Sequence, residues 1–312
     1  MNEENDAPVL LIIFNRPDTT RLVFDAICKT KPRKLYVSAD APRSGNEEDE
    51  NNCKRARSIV KNIDWDCEIH YRFLEENLGC GWGVSSAISW AFENEDRLII
   101  LEDDCVPSMP FFPYCNYLLE KYKNDSRIWL ISGRSHEPDS KYFQDVDYMF
   151  SHYGHAWGWA TWKRCWQIFD IEMKSFPDFI KYGGAENVFF SKEEGRFYNK
   201  LYEKLFIDEN LAVSTWDFQF TYSILSNGGL SIVPAKNLIE NIGLYGAHSS
   251  GYSKYCELKA TYDFMIKNEP NFILANREFD YYHFKQHIVK IFGRIPLYKR
   301  VINKGLRMIG LK

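Results

Sequence analysis

The sequence predicts an α/β protein: a mostly parallel central sheet flanked by helices, followed by an amphipathic helical tail. Three observations carry this. Residues 8–14 and 34–39 are apolar runs separated by a helical pattern, which makes a βαβ opening. Residues 98–101 are four aliphatics in a row, the mark of a short strand buried on both faces. Helical and strand patterns keep alternating beyond it, to about residue 233.

The elements follow in order. Residues 8–14 form the first strand, broken by Asn15-Arg16-Pro17-Asp18-Thr19. Asp18 or Thr19 can cap a helix to about Lys29 whose inner face is Leu22, Val23, Ala26 and Ile27. Residues 34–39 are the second strand, with Asp40 at its end. Residues 44–52 are polar and acidic, a surface loop, and a helix over 50–62 leads to a third strand at 67–73. Asn77-Leu78-Gly79-Cys80-Gly81-Trp82-Gly83 has three glycines in five residues, which lets backbone approach a ligand closely. The helix expected over 84–93 would point its N-terminus at a phosphate. A helix over 110–122 and strands at 128–131 and 146–150 come next, with a polar connection over 132–145. Residues 185–206 read as one long amphipathic helix. A helix from about 214 to 226 and a strand at 229–233 close the pattern.

Chemistry concentrates at the end of the buried strand. Glu102, Asp103 and Asp104 arrive together where it should stop. Adjacent carboxylates repel, and burying them requires something positive between them. A divalent cation with hard oxygen ligands is the simplest such partner. In open α/β sheets, ligands gather at the carboxyl ends of strands, where these acids fall. A solvated acidic turn is the plain alternative.

Bulk composition narrows the classes. The chain has 312 residues, 45% hydrophobic and 26% charged, which is ordinary for a globular protein and excludes wholesale disorder. Its net charge of −4 supplies no basis for nucleic acid binding. Eight cysteines form no C-x-x-C pair, which argues against a zinc site, and a chain this long does not need a disulfide framework. Free thiols, an acidic polar N-terminus and the lack of an apolar run of about 18 residues fit a cytoplasmic protein with no secretory signal or spanning helix.

The Glu102-Asp103-Asp104 strand end resembles the acidic metal motif of glycosyltransferases with the glycosyltransferase-A fold. It is most similar to that of the inverting N-acetylglucosaminyltransferase branch and of bacterial polysaccharide glycosyltransferases. The resemblance runs over residues 8–251, with its elements in order: nucleotide strands, glycine loop, acids, tryptophan turn, Trp-Asp and a late histidine. It implies a nucleotide-sugar donor, a uridine one by this likeness, and a saccharide or lipid-linked glycan acceptor. Phe14, Asn15 and Arg16 would lie near base and diphosphate, and Asp40 would accept from a uracil ring N–H; a turn cap is the other reading of Asp40. Asn77 and Gly81 would belong to the donor loop. Glu102 and Asp103 would orient ribose, sugar hydroxyls or metal-bound water, while Asp104 and His248 hold Mn²⁺ or Mg²⁺. The turn at Trp157 and Trp159, with His155 and Trp216, would close over donor sugar and acceptor, unless it is a buried aromatic turn. Asp217, at a helix start, would be the general base.

The implied organisation is a catalytic domain over 1–265, divided into a nucleotide-sugar half (1–132) and an acceptor half (133–265), then a basic tail over 266–312. From residue 281 onward there are eight Lys or Arg and no acid. A break at 293–296 precedes a stretch with Leu297, Tyr298, Val301, Ile302, Leu306 and Ile309 on one face. That is the pattern of a helix lying on an anionic membrane surface, where half of those charges would give about 4 kcal/mol. A terminal helix packed on the domain is the alternative. The expected location is therefore cytoplasmic and peripheral at the membrane. Two rival functions remain. A sugar-nucleotide nucleotidyltransferase usually has a glycine-rich basic signature where this chain reads Phe14-Asn15-Arg16-Pro17. A non-catalytic binding module need not keep Glu102, Asp104 and Asp217 intact.

Overall fold

The strands, in chain order, are β1 (Val9–Ile13), β2 (Lys34–Ala39), β3 (Glu68–Phe73), β4 (Arg97–Glu102), β5 (Cys105–Pro107), β6 (Ile128–Ser132), β7 (Tyr148–Ser151), β8 (Trp159–Trp162), β9 (Leu230–Pro234) and β10 (Ile239–Asn241). They come from a computed structural model that describes residues 6–243 and 258–292. Eight of them form one sheet in the order β3-β2-β1-β4-β8-β6-β9-β7, and β10 pairs with β5 beside it. β1, β2, β3 and β4 run parallel. β8 is antiparallel to both β4 and β6, β6 and β9 are parallel, and β7 is antiparallel to β9. The sheet is thus mostly parallel, as expected, with β7 and β8 reversed.

The helices are α1 (Pro17–Thr30), α2 (Glu47–Ile59), α3 (Gly79–Ala91), α4 (Phe111–Lys121), α5 (Lys163–Trp166), α6 (Phe176–Lys181), α7 (Lys192–Ile207), α8 (Glu209–Ser214), α9 (Asp217–Ser226), α10 (Arg277–His283) and α11 (Val289–Phe292). A 3₁₀ turn spans Gly184–Asn187 and a π-turn spans Phe284–Ile288.

β1, β4 and β6 are buried along their whole apolar lengths, as strands covered on both faces must be. The chain runs β1, β2, β3 to one side and then returns to place β4 on the other side of β1. The order therefore reverses between β1 and β4, the place where α/β sheets bind ligands. Register fixes what gathers there. Ile13 pairs with Ala39 and Ile12 with Glu102, so Phe14, Asp40 and Asp103 leave the sheet at one edge.

Several boundaries differ from the sequence reading. The expected loop over 44–52 is largely helix. Asn46 caps α2 by accepting from Asp49 N, which starts the helix at Glu47. α3 starts at Gly79, so the glycine-rich run is itself helical. The long helix expected over 185–206 is interrupted. Phe189 turns inward to stack on Tyr198 at 5.0 Å, and Ser191 caps a fresh helix. The stretch carrying Trp159 and Trp162 is strand β8, where a turn was expected at Trp159.

The main core packs both faces of the sheet, and a second aromatic cluster joins α6, α7 and α9 through Phe176, Tyr198, Tyr202 and Tyr222. The sheet runs across the 132/133 division, since β8 from the second half sits between β4 and β6 of the first. The start of the basic tail is docked. Phe279, His283, Phe284 and His287 are buried, and Lys285 pairs with Glu193 at 2.9 Å. Residues 293–312, which carry most of the expected membrane pattern, lie outside the described residues. No helix among the described residues is long and apolar enough to cross a membrane.

Candidate active site

β4 ends on Glu102, and the turn after it presents Asp103 and Asp104. Asp103 is almost fully buried. Its Oδ2 accepts from Phe14 N at 3.0 Å, which ties the turn to the end of β1. Its Oδ1 accepts from Arg16 Nη2, while Arg16 Nη1 donates to Asp104 Oδ2 at 2.7 Å. The positive partner that the acids require is therefore present in the chain itself. Arg16 was expected to lie near the diphosphate; here it bridges two carboxylates.

One guanidinium does not balance three acids. Burial, then Asp104 and Asp103, push the Glu102 carboxyl up to about 8, although Arg16 pulls the other way. Burial pushes Asp103 up to about 6 against the pull of Arg16. Burial alone would lower the Arg16 pKa, but Asp103, Asp104 and Glu102 outweigh it and raise it. The cluster keeps an excess of negative charge.

Asp217 joins it from more than a hundred residues away. It is the first residue of α9, is exposed, and is near enough to raise both Glu102 and the Cys80 thiol. Burial, with Glu102, Asp217 and Asp104, pushes Cys80 up to about 12. The charge of Asp217 is thus felt both at the acids and at the first turn of α3, where Gly81 packs against Val213 and Thr215.

Sequence reasoning missed Gly243. A Cβ there would lie 2.2 Å from Asp104 Oδ2 and 3.1 Å from Arg16 Nη1, so any larger residue would push the Asp104 carboxylate aside. Ile242 N also donates to Asp104 O at 2.8 Å. Nothing in the sequence set Gly243 apart from other glycines. His248, the expected second metal ligand, lies outside the described residues, five positions beyond Gly243. Asp49 was also missed. It is buried, it holds Asn15 Nδ2 at 2.7 Å and Arg43, and Arg43 lies 5.9 Å over the Phe14 ring. The Arg43 hydrogen bonds pull Asp49 down to about 2. Asn15 is thus an anchor of the loop after β1.

Two donor-side expectations are corrected. Asp40 Oδ1 accepts from Ala41 N and Leu78 N, and Oδ2 from Gly79 N and Asn77 Nδ2. Those four bonds use the carboxylate's acceptor sites, so Asp40 caps the α3 entrance and has none left for a uracil N–H. Its negative charge also sits where the phosphate was expected, at the helix N-terminus. Asn77 donates to Ala41 O at 2.6 Å and serves the same turn. Gly81 is buried and faces protein. A Cβ there would lie 2.3 Å from Val213 O, so this glycine lets α3 pack against the segment before α9.

The aromatic expectations divide. Trp159 and Trp216 are corrected: both are buried, stacked at 5.5 Å with 23° between rings, and have no face for a sugar. Trp157 is half-buried, with Arg134 5.4 Å over its ring. His155 belongs to a second cluster. Its ring lies 4.0 Å from that of His136 and 5.0 Å from that of His283. His287 completes the group, 4.7 Å from His283 and bonded to Glu137. Burial, then His287 and Arg134, push His155 down to about 3, and burial holds His136 and His283 far below the usual histidine range. Neither ring nitrogen of His283 has a hydrogen-bond partner among the described residues.

Among the described residues, no three His, Cys, Asp or Glu side chains converge on a point that could hold an ion. At the acids the reason is visible, because Arg16 takes the space between Asp103 and Asp104. The chemistry nevertheless fits a hard divalent ion: three oxygen-bearing groups, excess negative charge and a glycine cradle at Gly243. A cavity of about 600 Å³ opens at the opposite edge of the sheet, beside His152, Glu194 and Asp280. Burial pushes its Glu194 up to about 7, but that carboxyl already accepts from Tyr153 Oη at 2.9 Å and holds α7 in place. The acidic edge therefore remains the stronger candidate. No family model matches the chain, and no curated protein matches it.

Proposed function

We propose that this chain is an inverting glycosyltransferase of the glycosyltransferase-A kind, moving a sugar from a nucleoside diphosphate to a glycan or lipid-linked acceptor. One observation carries the reading: Glu102, Asp103 and Asp104 gather at the sheet's switch point, Arg16 from the end of β1 bridges two of them, and Asp217 is near enough for its charge to act on Glu102. A solvated acidic turn would not be buried, tied to the next strand and faced by a fourth acid. The reversal of strand order between β1 and β4 supports the same architecture.

Each residue then has a task. Asp217 accepts the proton of the acceptor hydroxyl. That oxygen forms a bond to the anomeric carbon as the bond to the diphosphate oxygen breaks, and the released electron pair stays on the diphosphate. A positioned base of this type contributes about 10²–10⁴-fold. Arg16, once released from a carboxylate, would bind phosphate oxygens. Glu102, protonated more readily than a free carboxyl, can donate to a sugar or ribose oxygen. Asp104 would hold a divalent ion, Mn²⁺ or Mg²⁺, whose contribution is to neutralise the leaving diphosphate. Trp157, half-buried with Arg134 over its ring, would be the acceptor-side aromatic.

Calorimetry with UDP, GDP and CMP, each with and without Mn²⁺, is the primary test. Metal-dependent binding of one nucleotide is expected. If none binds, the non-catalytic module becomes the better reading. Membrane attachment through residues 293–312 is a separate proposal, because the chain before them is docked. Truncation after Phe292 should abolish flotation with anionic liposomes and leave the fold intact; equal flotation of both chains would end that idea.

A further inference from the structure

We propose that Arg16 is the resident counter-ion of the acidic site, and that a nucleoside diphosphate draws it off Asp104 to make room for a divalent cation. The inference rests on the glycosyltransferase reading and adds an order to it: nucleotide and metal load as a unit, and the bare site rejects the metal.

The two acids are held unequally. Asp103 is fixed on one oxygen by Phe14 N and on the other by Arg16. Asp104 is held by Arg16 at 2.7 Å and by the weak thiol donor of Cys105 at 3.3 Å. Asp104 is therefore the carboxylate whose surroundings change most when Arg16 leaves. Gly243 lies against the same pair: a Cβ there would fall 2.2 Å from Asp104 Oδ2 and 3.1 Å from Arg16 Nη1. A guanidinium and a divalent ion compete for that oxygen by both charge and space.

Arg16 is also the more accessible partner. Its side chain is 29% exposed against 3% for Asp103. It stands directly after β1, ahead of Pro17 at the start of α1, so its backbone is anchored and a displacement from Asp104 needs only a change in the side chain. A diphosphate offers several oxygens in the planar, paired geometry that guanidinium prefers. Once drawn to it, Arg16 no longer neutralises Asp104, and the site's negative charge becomes available to the metal. Linkage makes the effect mutual, so metal must strengthen nucleotide binding by the same factor.

The test follows free Mn²⁺ by electron paramagnetic resonance in the full chain, with and without UDP, while calorimetry follows UDP. In wild type, UDP should tighten Mn²⁺ binding by about 10–100-fold. In Arg16→Gln, Mn²⁺ should bind without UDP at least about tenfold more tightly than in wild type, and the effect of UDP should shrink. Arg16→Lys keeps the charge for folding but cannot bridge two carboxylates, so it should fall between the two. Circular dichroism confirms that each variant is folded. If either folded variant binds Mn²⁺ no better than wild type while UDP still binds wild type, Arg16 does not guard the site and the glycosyltransferase reading stands. If neither Mn²⁺ nor UDP binds any of the proteins, both ideas fall.

Discussion

Two buried groups of titratable side chains can be set against each other. One is the carboxylate cluster of Glu102, Asp103 and Asp104 at the end of β4. The other is the imidazole cluster of His136, His155, His283 and His287, between the end of β6 and the C-terminal helices. Both face the same cost, since burying charge is unfavourable. The acids meet it by importing Arg16 and by raising their pKa values. His136, His155 and His283 meet it by staying neutral, although Arg134 lies beside the first two. The first cluster is thus left charged and partly open, within reach of the charge of Asp217. The second packs ring against ring and pins α10 and the following π-turn to the body. Excess charge with an opening marks a place for a ligand; neutral packing marks a joint.

The sharpest test of that division is transfer itself. Asp217→Asn should retain UDP binding within about twofold and lose about 10²–10⁴ in turnover. His283→Leu should leave turnover within a few-fold. A His283→Leu enzyme as inactive as Asp217→Asn would put the imidazoles in the site and dissolve the contrast.

Next in size is the acid limb of stability. Histidines whose folded pKa lies below the unfolded value of about 6.5 stabilise the fold above that pH and lose the contribution as pH falls, because only the unfolded chain takes the protons. From His155 alone the loss between pH 6.5 and pH 4 is about 3 kcal/mol. Urea midpoints across that range should fall steeply in wild type and less steeply in His283→Leu. The same substitution removes two buried nitrogens without partners among the described residues, so at pH 7 it should be neutral or stabilising. A flat profile from pH 7 to pH 4 would show that the imidazoles are solvated.

The carboxylates should show the opposite sign, with a smaller effect. A folded pKa raised above the unfolded one favours the fold at low pH, and that contribution disappears as pH rises through the folded value, here about 8 for Glu102. Glu102→Gln should therefore be more stable than wild type at pH 8 in EDTA, by about 1–3 kcal/mol. At pH 5 the two should be nearly equal. Denaturant melts at both pH values settle it, and a variant less stable at pH 8 would mean that Arg16 fully balances the acids.

Much of the architecture was readable because burial on both faces leaves an uninterrupted apolar run. β1, β2, β4 and β6 are such runs and were found close to their true bounds. The acid triplet was readable for the same reason, since it ends one of them abruptly. β8 was missed because its residues Trp159-Ala160-Thr161-Trp162 follow a glycine and include two tryptophans, a pattern that loops and helices share. α3 was shifted because glycines at 79, 81 and 83 argue locally against helix, and only contact with the segment before α9 and with Asp40 rewards them.

From the residues alone came a parallel α/β sheet, three carboxylates at the end of a central strand, and the need for a positive partner. Hydrophobic periodicity and like-charge repulsion are local enough to be read along a chain. Tertiary structure alone decided which cation answers the acids, which aromatic rings are core, and that Asp217 and Gly243 reach Asp104's neighbourhood. Those outcomes depend on strand order, register and close backbone approach between segments about 90–140 residues apart in sequence. No local pattern encodes a contact of that kind.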